Sequence, residues 1–220
     1  MSHATVTVAL AAQPAPVDWH GKQVLESFAA VNCKDPVNLL LRTSATSGAA
    51  EALKTKQPGD LLVVTGDLSL EDDQAVLYVR TTCDIPKDCY INEVCLVGRI
   101  AGKARITDSN KSVSRSLAIN RRVQGEDVTD WFKVRGYGYL MERLNDAPSG
   151  SLVQFTGSLD QRTNRDGNPY CEIKGRTIRT FKRGGGTNSG SNPAEGTKAS
   201  GYGHEDFANA VNDMPFDWTT

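Results

Sequence analysis

The stretch GDLLVVTGDL at residues 59–68 returns as GSLVQFTGSL at residues 150–159, and this repetition decides the fold prediction. Two shorter matches precede it in the same order in both halves of the chain: AVN at 30–32 with AIN at 118–120, and LLLR at 39–42 with FKVR at 132–135. The offset runs from 88 to 93 to 91 residues, as small loop insertions would produce. Ordered self-similarity of this kind predicts two diverged copies of one domain.

The second copy has the pattern of a small β-barrel. Val113, Leu117 and Ile119 alternate with polar residues, which is typical of a strand with one buried face. Further strands are expected at 94–100, 132–134, 152–159 and 170–181, with a short helix at 139–144 and a turn-rich hairpin at 164–168. Five strands with a helix between the third and fourth are the layout of an OB barrel. We therefore predict an all-β chain of two tandem OB-fold barrels, each with five strands and a short helix.

Charge divides the chain into three segments. Lys and Arg number 7 against 11 Asp and Glu in residues 1–89, 17 against 10 in 90–183, and 1 against 5 in 184–220. A basic middle segment favours polyanion binding, although solvated faces that merely differ in charge are the alternative. Residues 184–192 are too rich in Gly, Ser and Asn to fold. The expected organisation is a diverged OB domain at 4–87, a binding OB domain at 90–183, and a disordered acidic tail at 184–220.

Composition narrows the class of protein further. No apolar run approaches the roughly 20 residues of a membrane span, and the first ten residues lack the features of a signal peptide, so a cytoplasmic protein is expected. No nucleophile elbow, P-loop or paired histidine is present, which predicts a protein that is not an enzyme. The carboxylate run at 71–73 could bind a metal, but it is more typical of a solvated hairpin tip.

The cysteines argue against a metal centre. The chain has five cysteines with no CxxC pair, and its three histidines lie far from them in sequence. A zinc site needs a tight ligand pair, so we predict no metal and no cofactor. The favoured interpretation is buried, reduced thiols: Cys33, Cys83, Cys89, Cys95 and Cys171.

The third strand of the second copy carries a candidate binding surface. Because side chains alternate along a strand, Phe132 and Val134 should face the core. The opposite face would then combine two rings with two cations: Trp131, Lys133, Arg135 and Tyr137. Bases stack on aromatic rings whatever their identity, and cations follow the phosphates. Neighbouring strands are expected to add Arg121, Arg122, Lys174 and Arg176, with Glu172 also pointing outward.

The first copy serves as an internal control for this surface. In the same register the outward positions are Asn38, Leu40, Arg42 and Ser44, while the inward pair stays apolar as Leu39 and Leu41. Packing against a loop or a partner subunit is an alternative role for Trp131 and Tyr137. Packing alone gives no reason why only one copy carries rings and cations together on this strand, so the difference favours a binding role for the second copy.

Residues 91–181 resemble the bacterial single-stranded DNA-binding protein family. The resemblance rests on four motifs in order: INEVCLVGRI at 91–100, SLAINRR at 116–122, DWFKV at 130–134 with YG at 137–138, and GSLV at 150–153 with GSL at 157–159. It implies that Trp131 and Tyr137 stack bases. The chain departs from the family at Val123 and near Asn164, where the family commonly has aromatic residues.

The C-terminal tail is also similar to the family's partner-docking peptide. The similar residues are Asp213, Met214, Pro215 and Phe216. Four more residues follow at 217–220, so the terminal carboxylate does not adjoin the Phe. A featureless solubilising tail is the alternative.

The resemblance implies a function for the whole chain. That function is sequence-independent coating of single-stranded DNA on the nucleoid, in replication, recombination and repair, with proteins recruited through the tail. Family members with two OB domains per chain usually form dimers, which implies a homodimer presenting four OB domains. The alternative is a primosome or recombination accessory whose OB copies mainly bind proteins.

Overall fold

The computed structural model describes residues 1–33, 35–85, 89–107, 111–164 and 167–181. Within these ranges the chain forms eleven strands and two short helices. In chain order they are β1 Ser2–Leu10, β2 Ala15–Trp19, β3 Lys22–Val31, β4 Val37–Ser44, α1 Gly48–Lys54, β5 Leu61–Glu71, β6 Gln74–Asp84, β7 Asn92–Ile106, β8 Ser112–Val123, β9 Glu126–Tyr137, α2 Tyr139–Asp146, β10 Leu152–Thr163 and β11 Pro169–Thr180. The expected tail at 184–220, with its docking residues, lies outside the described ranges.

The second copy closes into a five-stranded barrel. Strands β7, β8 and β9 pair antiparallel in sequence order. Strand β9 then pairs parallel with β11, where Val134 lies opposite Ile173. Strand β11 pairs with β10, and β10 returns to β7 and closes the ring. Together with α2 between β9 and β10, this is the predicted OB barrel.

The first copy closes in the same order, with one strand added. Strands β1, β3 and β4 are consecutive in the ring, β4 pairs parallel with β6, and β5 joins β6 to β1. The added strand is β2, which pairs only with β3 in the described structure and lies at the edge of the sheet. Strand β2 was not predicted from the sequence, because Pro16 interrupts its short β-prone run. A proline, which cannot donate a backbone hydrogen bond, is tolerated on an edge strand.

The repeated Thr-Gly pair marks the same structural point in both barrels. A Cβ built on Gly66 would lie 2.0 Å from the carbonyl oxygen of Tyr78, and one on Gly157 would lie 2.2 Å from that of Lys174. The strand register shifts at both glycines, between β5 and β6 and between β10 and β11. The backbones approach so closely at these bulges that only glycine fits. The glycine of the repeated Thr-Gly pair is therefore required for each barrel to close.

The two barrels share one continuous sheet. Strand β1 of the first barrel pairs antiparallel with β7 of the second, from Ser2 opposite Leu96 to Val6 opposite Asn92. Inward side chains of both barrels join one apolar cluster across this seam, including Val6 and Leu96, which are both fully buried. In the described ranges no helix has the length and apolar character that crossing a membrane requires.

Candidate nucleic-acid interface

Strand β9 displays its side chains in the alternation that the sequence predicts. Phe132 and Val134 are buried in the core, at 2% and 0% exposure. Trp131 is 58% exposed on the opposite face, and Lys133 beside it is exposed as well. A tryptophan that leaves more than half of its surface in water has unused apolar area for a flat ligand.

Arg135 lies on this face, but its charge is already paired. Its Nε lies 2.7 Å from Oε1 of Glu172, and its Nη1 donates to the hydroxyl of Ser112 at 3.1 Å. The side chain of Glu172 has no exposed surface, in contrast to the outward, solvated position expected for it. Burial disfavours the charged guanidinium, but the hydrogen bond that Arg135 donates to Glu172, together with the negative charge of Glu172, outweighs burial and raises the pKa of Arg135. Arg135 therefore anchors β11 to β9 and has little free charge for a phosphate.

Tyr137 is held between two cations. Its hydroxyl accepts a hydrogen bond from Arg162 at 3.0 Å, and the ammonium of Lys174 lies 5.7 Å from its ring centroid. Arg162 also pairs with Glu172 and with Asp160, at 3.0 and 2.9 Å. Arg162, which lies on β10, was not predicted from the sequence to be on this face. Only the hairpin register, which sets Arg162 opposite Tyr170, brings it to the face.

Tyr170 is a third ring on this face, and sequence analysis missed it too. The Nζ of Lys133 lies 3.9 Å from the centroid of the Tyr170 ring. A signal was available, because Tyr170 has the same parity along β11 as Glu172 and Lys174. We call the surface formed by these rings and cations the aromatic–basic face: Trp131, Lys133, Arg135, Tyr137, Arg162, Tyr170 and Lys174.

Arg121 lies away from this face, at the contact between the barrels. Its Nε lies 2.8 Å from Oδ2 of Asp130, a carboxylate with 1% side-chain exposure, and its Nη2 lies 3.9 Å from Glu71 of the first barrel. The hydroxyl of Ser69, also in the first barrel, donates to Asp130 at 3.2 Å. Burial raises the pKa of Asp130, although Arg121 and Ser69 oppose the shift. Arg121 therefore helps to join the two barrels.

Two further predicted cations are also engaged elsewhere. Arg122 donates from its Nε to the carbonyl of Gly125 at 3.1 Å, within the β8–β9 hairpin. Arg176 lies 3.2 Å from Glu93 and donates to the carbonyl of Asn92 at 3.3 Å, beside the seam of the two barrels. The bulge opposite Gly157 breaks the alternation of β11 and turns Arg176 away from Lys174.

The corresponding face of the first barrel is covered by its own side chains. Arg42 is 5% exposed and pairs with Glu26 at 2.6 Å and with Glu71 at 2.8 Å. Its guanidinium lies 4.6 Å from the ring centroid of Trp19 and 5.4 Å from that of Tyr78. Comparison of the third strands alone missed these rings, because they come from β2 and β6. The rings of Trp19 and Tyr78 pack against Arg42, whose charge is already neutralised by Glu26 and Glu71.

The second barrel covers a further part of that face. Val76 points away from the first core and is nevertheless fully buried, and Ser69 is 1% exposed beneath Asp130. The backbone N–H of Asn38 donates to Oε1 of Gln161 at 3.2 Å across the junction. Phe28, 55% exposed on β3, is a ring that this face leaves in solvent.

The carboxylate run and the cysteines have structural surroundings. Glu71 is paired with Arg42 and accepts a hydrogen bond from Tyr78, while Asp72 and Asp73 form a turn with φ of 49° and 63°. In the described ranges no cluster of three potential ligands could hold a metal ion. All five cysteines are free thiols. Burial raises the pKa of Cys171 to about 12. Cys83 is exposed, so the prediction that every thiol is buried was wrong.

Comparison with known proteins gives one family and one fold. Residues 91–171 match the family model described as "Single-strand binding protein family". The crystal structure of the single-stranded DNA binding protein from Thermus aquaticus is similar, with a TM-score of 0.66 and 18% identity over 88% of this chain and 98% of that chain. A deletion mutant of the Thermus protein has a TM-score of 0.63 and 15% identity over 86% of this chain and 98% of its own. No curated protein sequence matches significantly. These similarities confirm the predicted fold.

Proposed function

The chain belongs, through residues 91–171, to the single-strand binding protein family, and on that premise we propose that it binds and protects single-stranded DNA without sequence preference. Members of this family bind DNA and are not enzymes, as the sequence predicted. One observation carries the proposal: the rings of Trp131 and Tyr137 share a single outward face of the second barrel with Lys133 and Lys174, which have no ion pair in the described structure. Rings stack on bases of any identity, and ammonium groups follow the backbone.

The magnitudes favour binding on this face. Stacking contributes about 1–3 kcal/mol per base, so Trp131 and Tyr137 together supply about 2–6 kcal/mol. Lys133 and Lys174 have no ion pair in the described structure and remain available to phosphates. Arg135 and Arg162 hold the strands in place through Glu172, so the face is formed before DNA arrives. A face that is formed in advance loses less conformational entropy on binding.

The first barrel has an assembly role in this proposal. Its corresponding face is largely covered by the Arg42 cluster and by the second barrel, with Phe28 left exposed, so the DNA is bound mainly by the second barrel. The functional units are 4–87 for assembly, 90–183 for DNA, and 184–220 for partner docking. Two chains associate, and the homodimer presents four OB domains.

The biological setting follows from this binding. The protein coats single strands on the nucleoid in the cytoplasm during replication, recombination and repair. Partner enzymes dock on the tail at Asp213, Met214, Pro215 and Phe216. A basic binding domain and an acidic tail on one chain support this division of labour.

A salt titration tests the proposal. Oligo-dT, duplex DNA and RNA of equal length are titrated into the full chain at several salt concentrations, with tryptophan fluorescence as the signal. We expect tight, salt-sensitive binding of oligo-dT, quenching of Trp131, and much weaker binding of the duplex. Weak binding of all three ligands would contradict the proposal and favour the accessory that mainly binds proteins.

A further inference from the structure

Tyr170 stands at the border between the aromatic–basic face and the first barrel. It is half-buried at the start of β11, with the ammonium of Lys133 3.9 Å from its ring centroid. The tyrosine also borders a small cleft of about 70 Å³ between the barrels, which Asn38 and Gln74 help to line. The ring is thus only half covered, and the flexible side chain of Lys133 lies over it.

The strand register places Tyr170 toward the same end of the face as Trp131, the most exposed ring. Strands β9 and β11 run parallel, with Val134 opposite Ile173. Counting back three residues along both strands reaches Trp131 and Tyr170. Both residues are outward by alternation, so the two rings lie toward the same end of the face. Tyr137 lies toward the other end, beside Lys174.

Lys133 is a weak competitor for the Tyr170 ring. A cation–π contact between a lysine and a ring near the surface favours the lysine-covered arrangement by only about twofold to fivefold. A stacked base favours its own arrangement about fivefold to 150-fold. An arriving base therefore displaces the ammonium, and the four-carbon stem of Lys133 lets its charge turn toward a neighbouring phosphate. The same lysine that covers the ring without DNA then contributes to binding.

We propose that Tyr170 is a third base-stacking ring, which Lys133 covers in the absence of DNA and uncovers when a base arrives. The inference rests on the proposed function. It extends the DNA track from Tyr137 and Trp131 to the junction with the first barrel. This subsite lies at the start of β11, where no binding residue was predicted from the sequence.

The test uses two substitutions at one position in the full chain. Tyr170→Leu keeps apolar volume and removes the ring, and Tyr170→Phe keeps the ring and removes the hydroxyl. We expect the affinity for oligo-dT to fall about threefold to 75-fold for Tyr170→Leu, which is the stacking gain less the roughly twofold preference for the lysine-covered ring. For Tyr170→Phe it should stay within about twofold of wild type. Tyr90→Leu is the matched control, because Tyr90 is 54% exposed and lies outside the face. Thermal unfolding of each variant shows that it is folded.

Two further measurements separate stacking from charge. Lys133→Gln should lower the slope of log affinity against log salt by about 0.7, whereas Tyr170→Leu should leave that slope unchanged. Oligo-dT substituted with 5-iodouracil, irradiated in complex with the wild-type chain, should form an adduct at Tyr170.

The results separate this inference from the proposed function. If the wild-type chain binds oligo-dT and Trp131→Ala weakens it, yet Tyr170→Leu binds as wild type and no adduct forms at Tyr170, the third subsite is refuted. If the wild-type chain does not bind oligo-dT, the proposed function itself is refuted, and the inference with it.

Discussion

The double substitution of Trp131 and Tyr137 by alanine tests the inequality of the two barrels. Trp131 is 58% exposed, and Tyr137 contributes mainly a ring whose hydroxyl accepts from Arg162. Removing both rings eliminates about 2–6 kcal/mol of stacking, which is about 30-fold to 2 × 10⁴-fold in affinity for oligo-dT. The salt slope should stay constant, because no phosphate-binding cation is lost.

The matched control removes two rings from the first barrel. Phe28 is 55% exposed and Trp19 packs over Arg42, so Trp19→Ala with Phe28→Ala deletes comparable aromatic area there. This pair should lower the affinity by less than about threefold.

Fluorescence anisotropy of labelled oligo-dT measures the affinity, and circular dichroism melts confirm that both double variants are folded. Equal losses of affinity from the two barrels would refute the reasoning, since most of the first-barrel face is covered in the structure.

Two other predictions concern the framework of the face. Gly157→Ala places a Cβ 2.2 Å from the Lys174 carbonyl oxygen. We expect it to lower the free energy of unfolding by about 3 kcal/mol or more, and Tm by about 6–12 °C, as measured by calorimetry. Gly48→Ala is the control, because a Cβ there would meet nothing within 4 Å, and its Tm should be nearly unchanged. Because burial raises the pKa of Asp130 above its ordinary value, that carboxyl favours the folded state more at low pH than at neutral pH. In urea unfolding from pH 4 to 7, the free energy of unfolding of wild type minus that of Asp130→Asn should therefore decrease as the pH rises. A difference in free energy that does not change with pH would contradict this prediction.

Local periodicity explains why part of the face was predictable. Alternation along one strand depends only on backbone geometry, so the exposure of Trp131 and Lys133 and the burial of Phe132 followed from the seven consecutive residues 131–137. The Thr-Gly pairs at 65–66 and 156–157 were likewise visible, because the repeat preserves the glycine that each bulge requires. The barrel layout then followed from the order of the predicted strands.

The state of each charge was not predictable from its strand. Arg135 and Arg121 both looked free, yet one is paired with Glu172 and the other with Asp130. Glu172 is 37 residues from Arg135, and only the parallel pairing of β9 with β11 brings the two together. The closure of the first-barrel face has the same origin, because Trp19 comes from a strand that the repeat does not contain.

The sequence by itself determined the two OB barrels and which side of β9 faces solvent, because repetition and period-two alternation are local properties. Only the tertiary structure decided which cations remain free for a phosphate, which rings lie beside them, and which barrel keeps an open face. Ion pairing and ring contacts depend on distances between strands that are remote in sequence, and barrel closure sets those distances. The contact of Lys133 with the Tyr170 ring is the clearest example, because only the pairing of β11 with β9 brings these two residues together.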